Sequence, residues 1–122
     1  MEKEITVSFS TSSYPPQSLD VVPQRIVEEI VRKSVEPLIL TFLRKPISGY
    51  DILKEINNRY HVLLPRARVY STLYDLENRG LVKIIVRGKS KIYVPTEVGE
   101  KYIEEKLKDF HSVYAHILGI ER

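Results

Sequence analysis

The stretch RARVYSTLYDLENRGLVKIIVRGKSKIYV, residues 66–94, carries the signals that decide the fold. Its first half places aliphatic residues at the three- to four-residue spacing of a helix with one buried face, namely Val69, Leu73 and Leu76. Gly80 follows the last of them, and a glycine in this position is typical of a left-handed helix end. The pattern predicts a helix over residues 65–79.

The second half of the stretch reads as two β-rich runs around a short turn. Residues 81–86 and 91–94 are rich in Val, Ile and Tyr, and Arg-Gly-Lys-Ser lies between them. Because Gly88 allows a tight turn, these runs predict a β-hairpin over residues 82–94.

Upstream, another helix precedes this stretch by only a short connection. Ser48 is a suitable N-cap, Asp51 follows three residues later, and the apolar pattern continues to about Tyr60. Two helices joined by a short turn and followed by a two-stranded ribbon are the arrangement of a winged helix-turn-helix. The hairpin is then the wing.

Helical patterns on both sides complete the predicted fold. Ile26 to Val31 carries one apolar stripe, and Leu38 to Leu43 is apolar nearly all round, as in a buried helix. Thr96 is a suitable N-cap for a last helix that runs to about Leu118. The predicted fold class is mainly α with a small β-hairpin, a winged helix-turn-helix plus a C-terminal dimerisation helix.

Three parts are predicted along the chain. Residues 1–23 form an N-terminal arm or linker, because a short alternating run, Ile5 to Phe9, is followed by a polar stretch that contains prolines. Residues 24–95 form the winged helix-turn-helix domain, and residues 96–122 form the C-terminal dimerisation helix.

The composition excludes several classes of protein. The chain has 122 residues and no cysteine, so disulfide scaffolds, zinc-thiolate sites and thiol catalysis are ruled out. Its apolar runs are far shorter than the ~18 residues that span a bilayer, and no secretory h-region follows Met1. We therefore expect a cytoplasmic protein with no membrane partner.

The positive charge is concentrated in the middle of the chain. The formal net charge is +3, yet residues 44–95 carry eleven Lys and Arg against four Asp and Glu. Residues 1–23 and 96–122 are each net acidic. A basic segment between acidic ones indicates a surface that binds a polyanion, with an ordinary solvated basic face as the alternative.

The outward face of the helix over residues 65–79 has the chemistry of a DNA-recognition helix. It offers arginines and small hydroxyls that can reach base edges or phosphates, namely Arg66, Arg68, Ser71 and Thr72. The helix N-terminus adds the positive end of its dipole. The alternative is an exposed helix face with ordinary charges.

The predicted wing supplies cations for the phosphate backbone, namely Arg87, Lys89 and Lys91. The alternative is an edge hairpin that charge protects against aggregation. Both properties are compatible in one hairpin.

The last helix has a longer apolar stripe than a small core is expected to cover. We interpret it as a dimerisation helix that uses Tyr102, Ile103, Leu107, Phe110, Tyr114 and Ile117. Packing of this stripe onto the protein's own core is the alternative, and the stripe of Ile26 to Val31 is a second candidate for the interface.

No pattern of catalytic residues stands out. The three histidines are His61, His111 and His116, and the last two lie about 140° apart around a helix, which makes them poor joint metal ligands. We expect no enzyme activity, no metal and no cofactor.

Three segments resemble the PadR-like transcriptional regulators. Residues 45–52, KPISGYDI, resemble the family's GPxHGYEI segment between its first two helices. Residues 68–82, RVYSTLYDLENRGLV, resemble the recognition helix TVYPLLxxLExxGL, and residues 91–100, KIYVPTEVGE, resemble the wing exit RxYxLTxxG. Arg68 and Ser71 depart from the usual Thr or Ser and Pro of the family.

The resemblance implies a cytoplasmic, homodimeric repressor that binds double-stranded DNA, with its C-terminal helix as the dimer contact. It does not identify the operator or any small-molecule effector. Two other functions stay open for the same fold: a protein-interaction module that binds an acidic partner, and an architectural protein that coats DNA without sequence preference.

Overall fold

Within residues 23–120, the part that the computed structural model describes, five helices and three strands follow one another. They are α1 (Gln24–Lys33), α2 (Val35–Phe42), β1 (Ile47–Ser48), α3 (Gly49–Tyr60), α4 (Arg66–Asn78), β2 (Val82–Arg87), β3 (Ser90–Pro95) and α5 (Glu97–Leu118). This order confirms the predicted fold class, a mainly α winged helix-turn-helix with a small β-hairpin and a C-terminal helix. The strand signal in Ile5 to Phe9, and the arm of which it is part, lie outside the described residues.

Local signals set the helix ends where the sequence predicts them. The Ser48 hydroxyl accepts a hydrogen bond from the Asp51 amide at 3.0 Å, which caps α3. Thr96 caps α5 in the same way through the Gly99 amide, also at 3.0 Å. Gly80 adopts a φ of 75° and ends α4, as expected of a left-handed cap.

The sheet has one more strand than the sequence predicts. β2 and β3 form the hairpin, and β1 pairs with β3 so that Ile47 lies opposite Tyr93. The sequence indicated only a break between two helices at residues 45–49, because two residues are too few for a strand pattern. β1 anchors the start of α3 to the base of the wing.

The core lies between α2, α3, α4 and the base of the hairpin. Ile39 and Leu40 of α2 are 0% and 1% exposed, which confirms the prediction that this helix is buried. Ile52 and Ile56 of α3 contact the same core, as does Leu73 of α4.

The first half of α5 packs on this core, which corrects one prediction. Ile103 is 4% exposed and belongs to the protomer's own core, so it is not a surface contact for a second copy. Tyr102 and Leu107 are half-buried and pack against the core as well. The alternative of packing within the protomer therefore holds for this half of the helix.

The start of α5 approaches the end of α4 so closely that only glycine fits. A Cβ atom on Gly99 would lie 1.7 Å from the Leu81 carbonyl oxygen. Nearby, the Thr96 hydroxyl donates a hydrogen bond to the Gly80 carbonyl at 2.7 Å. No helix within residues 23–120 is long and apolar enough to cross a membrane.

Candidate nucleic-acid interface

The recognition helix of the predicted site is α4, which extends over Arg66–Asn78 rather than 65–79. Its buried residues are Val69, Leu73 and Leu76, so the opposite side of the helix faces solvent. Pro65 occupies the N-cap position without a side-chain hydrogen bond. The Arg68 amide donates to the Pro65 carbonyl at 3.0 Å, which leaves the amides of Arg66 and Ala67 at the helix start, beside the exposed side chains of Arg66 and Arg68.

The two predicted hydroxyl residues differ in their placement. Ser71 is exposed on the outward face, whereas Thr72 is half-buried at its edge. Both hydroxyls donate to the Arg68 carbonyl, Ser71 at 3.2 Å and Thr72 at 3.0 Å. Their oxygen atoms can still accept a hydrogen bond, but their protons are already used within the helix.

Two tyrosines on α4 belong to this surface, although the sequence analysis did not select them. Tyr74 is 64% exposed and Tyr70 is 36% exposed. Tyr74 lies three residues after Ser71 on the outward face. The helical spacing relative to Val69 and Leu73 was the signal that could have found both residues.

Tyr70 connects α4 to the start of α3. A Cβ atom on Gly49 would lie 2.6 Å from a ring carbon of Tyr70 and 3.0 Å from its hydroxyl oxygen. The ring thus covers the first residue of α3, and the lack of a side chain at Gly49 makes the contact possible.

A groove of about 440 Å³ separates α4 and the start of α3 from the wing. It is lined by Ser48, Gly49, Tyr50, Asp51, Tyr70, Lys89, Ser90 and Lys91. One side chain of the recognition helix, Tyr70, therefore shares a groove with two lysines of the wing.

The three predicted wing cations do not share one face of the hairpin. The strand register pairs Val86 with Lys91 and Arg87 with Ser90. Side chains of neighbouring pairs point to opposite faces of a ribbon, so Lys91 and Arg87 point in opposite directions. Lys89 lies in the turn between the two strands, and all three cations are exposed.

The C-terminal end of α4 is tied to α5 and α2 through Tyr102. Arg79 Nη2 donates to the Tyr102 hydroxyl at 3.1 Å, and that hydroxyl donates to Glu36 Oε2 at 2.9 Å. Arg79 Nη1 donates to Asp75 Oδ2 at 3.1 Å. The hydrogen bonds to Tyr102 and Asp75 raise the pKa of the Arg79 guanidinium. Tyr102, predicted as a dimer contact, is thus engaged within the protomer.

The second half of α5 and the residues just after it expose a run of apolar side chains, which we call the C-terminal patch. It consists of Val113, Tyr114, Ile117, Leu118 and Ile120, which are 47–70% exposed. The half-buried ring of Phe110 stacks on Tyr114 at a centroid distance of 6.2 Å. On α1, Ile26 and Ile30 are also exposed. Exposed apolar surface of this kind is typical of a protein interface.

A helix-turn-helix whose second helix presents two arginines in its exposed first turn, with a basic wing in the same fold, defines the class of winged-helix DNA-binding proteins. Residues 39–105, more than half of the chain, match the model of the transcriptional regulator PadR-like family. The chain belongs to this family, and the predicted resemblance is confirmed. Members of this family are DNA-binding transcriptional regulators rather than enzymes, and they generally act as dimers.

Individual proteins are similar to this chain in sequence or in fold. An uncharacterized protein of Lysinibacillus sphaericus is 29% identical over 93 residues, which cover 70% of this chain and 85% of that protein. A transcriptional regulator from Clostridium thermocellum superposes with a TM-score of 0.64 at 23% identity, over 77% of this chain and 96% of that one. A PadR family transcriptional regulator from Eggerthella lenta superposes with a TM-score of 0.63 at 24% identity, over 83% of this chain and 92% of that one. At this identity the two structures show the shared fold.

Proposed function

We propose that this protein is a homodimeric repressor that binds a specific double-stranded DNA operator in the cytoplasm. The observation that carries the proposal is the groove that Tyr70 of α4 shares with Lys89 and Lys91 of the wing. One duplex can therefore contact both elements at once.

In this proposal α4 enters the major groove. Arg66 and Arg68 extend from its first turn, where recognition helices contact bases, and an arginine can bind guanine or a phosphate in a bidentate manner. Ser71 and Thr72 lie beside them as acceptors. Base contacts by these residues supply the sequence preference.

The hairpin acts as the wing along the phosphate backbone. Lys89 and Lys91 lie on the groove side and contact phosphates next to the site of α4. Arg87 points to the opposite face of the hairpin, and this position suits a phosphate on the other side of the wing tip. Such contacts add affinity and salt dependence without sequence information.

The homodimer forms through the C-terminal patch, with Phe110 at its edge and Ile26 and Ile30 of α1 as further contacts. Of the predicted dimer residues, Phe110, Tyr114 and Ile117 remain in this proposal, whereas Ile103, Tyr102 and Leu107 serve the protomer's own packing. Residues 24–95 are then the DNA-binding part and residues 96–122 the part that places two copies on one operator. Two-fold symmetry of the dimer implies a roughly palindromic operator.

Selection from a pool of randomised duplexes, followed by sequencing, tests the proposed function. We expect enrichment of a two-fold-symmetric motif whose binding persists between about 50 and about 200 mM salt. Unselective binding that disappears at the higher salt would contradict the proposal and support an architectural protein. Absence of DNA binding at either salt would support a protein-interaction module.

A further inference from the structure

One stripe of α4 faces directly away from the core and differs from the arginines beside it. Ala67, Ser71 and Tyr74 are spaced by four and three residues, so they lie above one another on the same side of the helix. All three are exposed, and Tyr74 is the most exposed aromatic side chain of the helix, at 64%.

Two of the three residues of this stripe present apolar groups to solvent. Ala67 presents a methyl group and Tyr74 an aromatic ring. The Ser71 hydroxyl donates to the Arg68 carbonyl at 3.2 Å, which ties its proton to the helix backbone. Arg68 lies beside the stripe, and no charged side chain lies between Ala67 and Tyr74 along it.

Folding of the protomer does not explain the exposed ring of Tyr74. Its hydroxyl makes no hydrogen bond within the part of the chain that the structure describes. The core is on the opposite side of α4, at Leu73 and Leu76, and the C-terminal patch belongs to a different helix. The ring therefore faces the surface where the proposed function places the major groove.

Apolar groups of a recognition helix have one apolar partner among the base edges of the major groove, the C5-methyl group of thymine. We propose that Ala67 and Tyr74 contact thymine methyl groups in each half-site, and that Tyr74 is a specificity-determining residue. The inference rests on the proposed function, because it needs α4 in the major groove. It identifies thymine as a base that the protein recognises in addition to the bases contacted by the arginines.

Replacement of thymine by deoxyuridine tests the inference, because it removes only the methyl group. The probe is the duplex enriched by selection, with one thymine of a half-site replaced at a time. For the thymine that Tyr74 contacts, we expect the wild-type protein to bind about fourfold more weakly, the effect of one buried methyl group.

Two variants assign the effect to the ring. Tyr74→Ala should bind the thymine and deoxyuridine duplexes equally at that position, whereas Tyr74→Phe should keep the discrimination. Since Tyr74 is largely exposed, neither variant should shift the midpoint of thermal unfolding by more than a few degrees.

The outcomes separate this inference from the proposed function. If the wild-type protein binds the selected duplex and every deoxyuridine replacement leaves its affinity unchanged, the thymine contact is refuted while specific DNA binding stands. Discrimination that persists in Tyr74→Ala also refutes the role of Tyr74. If selection enriches no duplex, the proposed function itself fails.

Discussion

The ring of Tyr70 lies against Gly49, so that a methyl group added to this glycine would be 2.6 Å from the ring. The contact joins the two helices of the helix-turn-helix beside the groove that the wing closes. It links the start of α3 to the recognition helix through one side chain.

Gly49→Ala should therefore disturb DNA binding more than it disturbs folding. The atoms that clash are at the outer end of the Tyr70 side chain, which can rotate away at a modest cost, about 1 kcal/mol in the free energy of unfolding. The displaced ring then enters the groove between α4 and the wing, and operator affinity should fall about tenfold or more. Thermal unfolding and fluorescence anisotropy measure the two effects.

The double variant Gly49→Ala/Tyr70→Ala serves as the control for steric conflict. When Tyr70 is already alanine, the Gly49→Ala substitution should cost little further stability, so the double variant should be about as stable as Tyr70→Ala. If the two substitutions have additive effects on stability, the contact does not constrain α3 and α4 as described.

Gly99→Ala should destabilise the protein strongly. The added Cβ atom would meet the Leu81 carbonyl oxygen at 1.7 Å, and backbone cannot rotate away as a side chain does. We expect a loss of about 3 kcal/mol or more in the free energy of unfolding. Ser112→Ala, at an exposed position of the same helix, should change it by less than ~0.5 kcal/mol. Equal denaturation midpoints for the two variants would show that the approach of α5 to the end of α4 is not fixed.

Arg68→Ala and Lys89→Ala should weaken DNA binding in different ways. Loss of Arg68 should cost about 1–3 kcal/mol on the selected duplex and relax the preference at one base position. Loss of Lys89 should weaken binding to all sequences alike and lower the slope of log affinity against log salt by about one. Titrations of both variants on selected and random duplexes, at several salt concentrations, measure this. Equal losses on both duplexes for both variants would contradict the division between base and phosphate contacts.

Ile117→Lys should dissociate the homodimer without unfolding the protomer. Ile117 is 70% exposed in the C-terminal patch, so a lysine costs nothing in the core but places a charge in the proposed interface. Sedimentation equilibrium should change from dimer to monomer, and affinity for the palindromic duplex should fall towards that for a single half-site. Lys108→Ala, at an exposed position of the same helix, is the matched control and should remain dimeric. A dimeric Ile117→Lys variant would place the interface elsewhere.

The stability of the fold should decline in alkaline solution because of Tyr93. Burial in the core raises the pKa of its hydroxyl above the ordinary value of 10.0, and the negative charge of Glu77 adds to the shift. The folded state thus holds the proton more tightly than the unfolded chain. This contribution to the free energy of unfolding is fully present below about pH 10 and is lost as the pH rises through the folded-state pKa.

Tyr93→Phe isolates this effect from the titration of lysines in the same range. The difference in unfolding free energy between the wild type and the variant should be constant from about pH 7 to about pH 9. Above about pH 10 the wild type should lose stability relative to the variant. A difference that stays constant over the whole range would show that Tyr93 does not titrate as its burial requires.

Local signals explain why much of this fold is predictable from the sequence. Ser48, Thr96 and Gly80 set helix ends through hydrogen bonds and backbone angles within a few residues of themselves. The turn at Gly88 defines the hairpin in the same way. These features depend on residues that are close together in the chain, so they can be recognised from the sequence alone.

Features that depend on distant parts of the chain were not predictable. β1 forms because Ile47 meets Tyr93, and two residues carry no strand pattern of their own. The apolar stripe of α5 continues without a break from Ile103 to Ile117, so its periodicity cannot show that the protomer covers the first half and exposes the second. Tyr74, by contrast, was predictable, because its helical spacing from Val69 and Leu73 places it on the outward face of α4.

The central claim is that a homodimer places two copies of α4 in the major groove of one operator. A change in the spacing of the two half-sites of the selected duplex tests it most directly. Insertion of ~5 base pairs between them, about half a helical turn, rotates the second half-site to the opposite face of the duplex. We predict that affinity falls to the level of a duplex with one half-site, and that ~10 inserted base pairs restore part of it. Equal affinity at every spacing would contradict the claim, because it would mean that each protomer binds DNA alone.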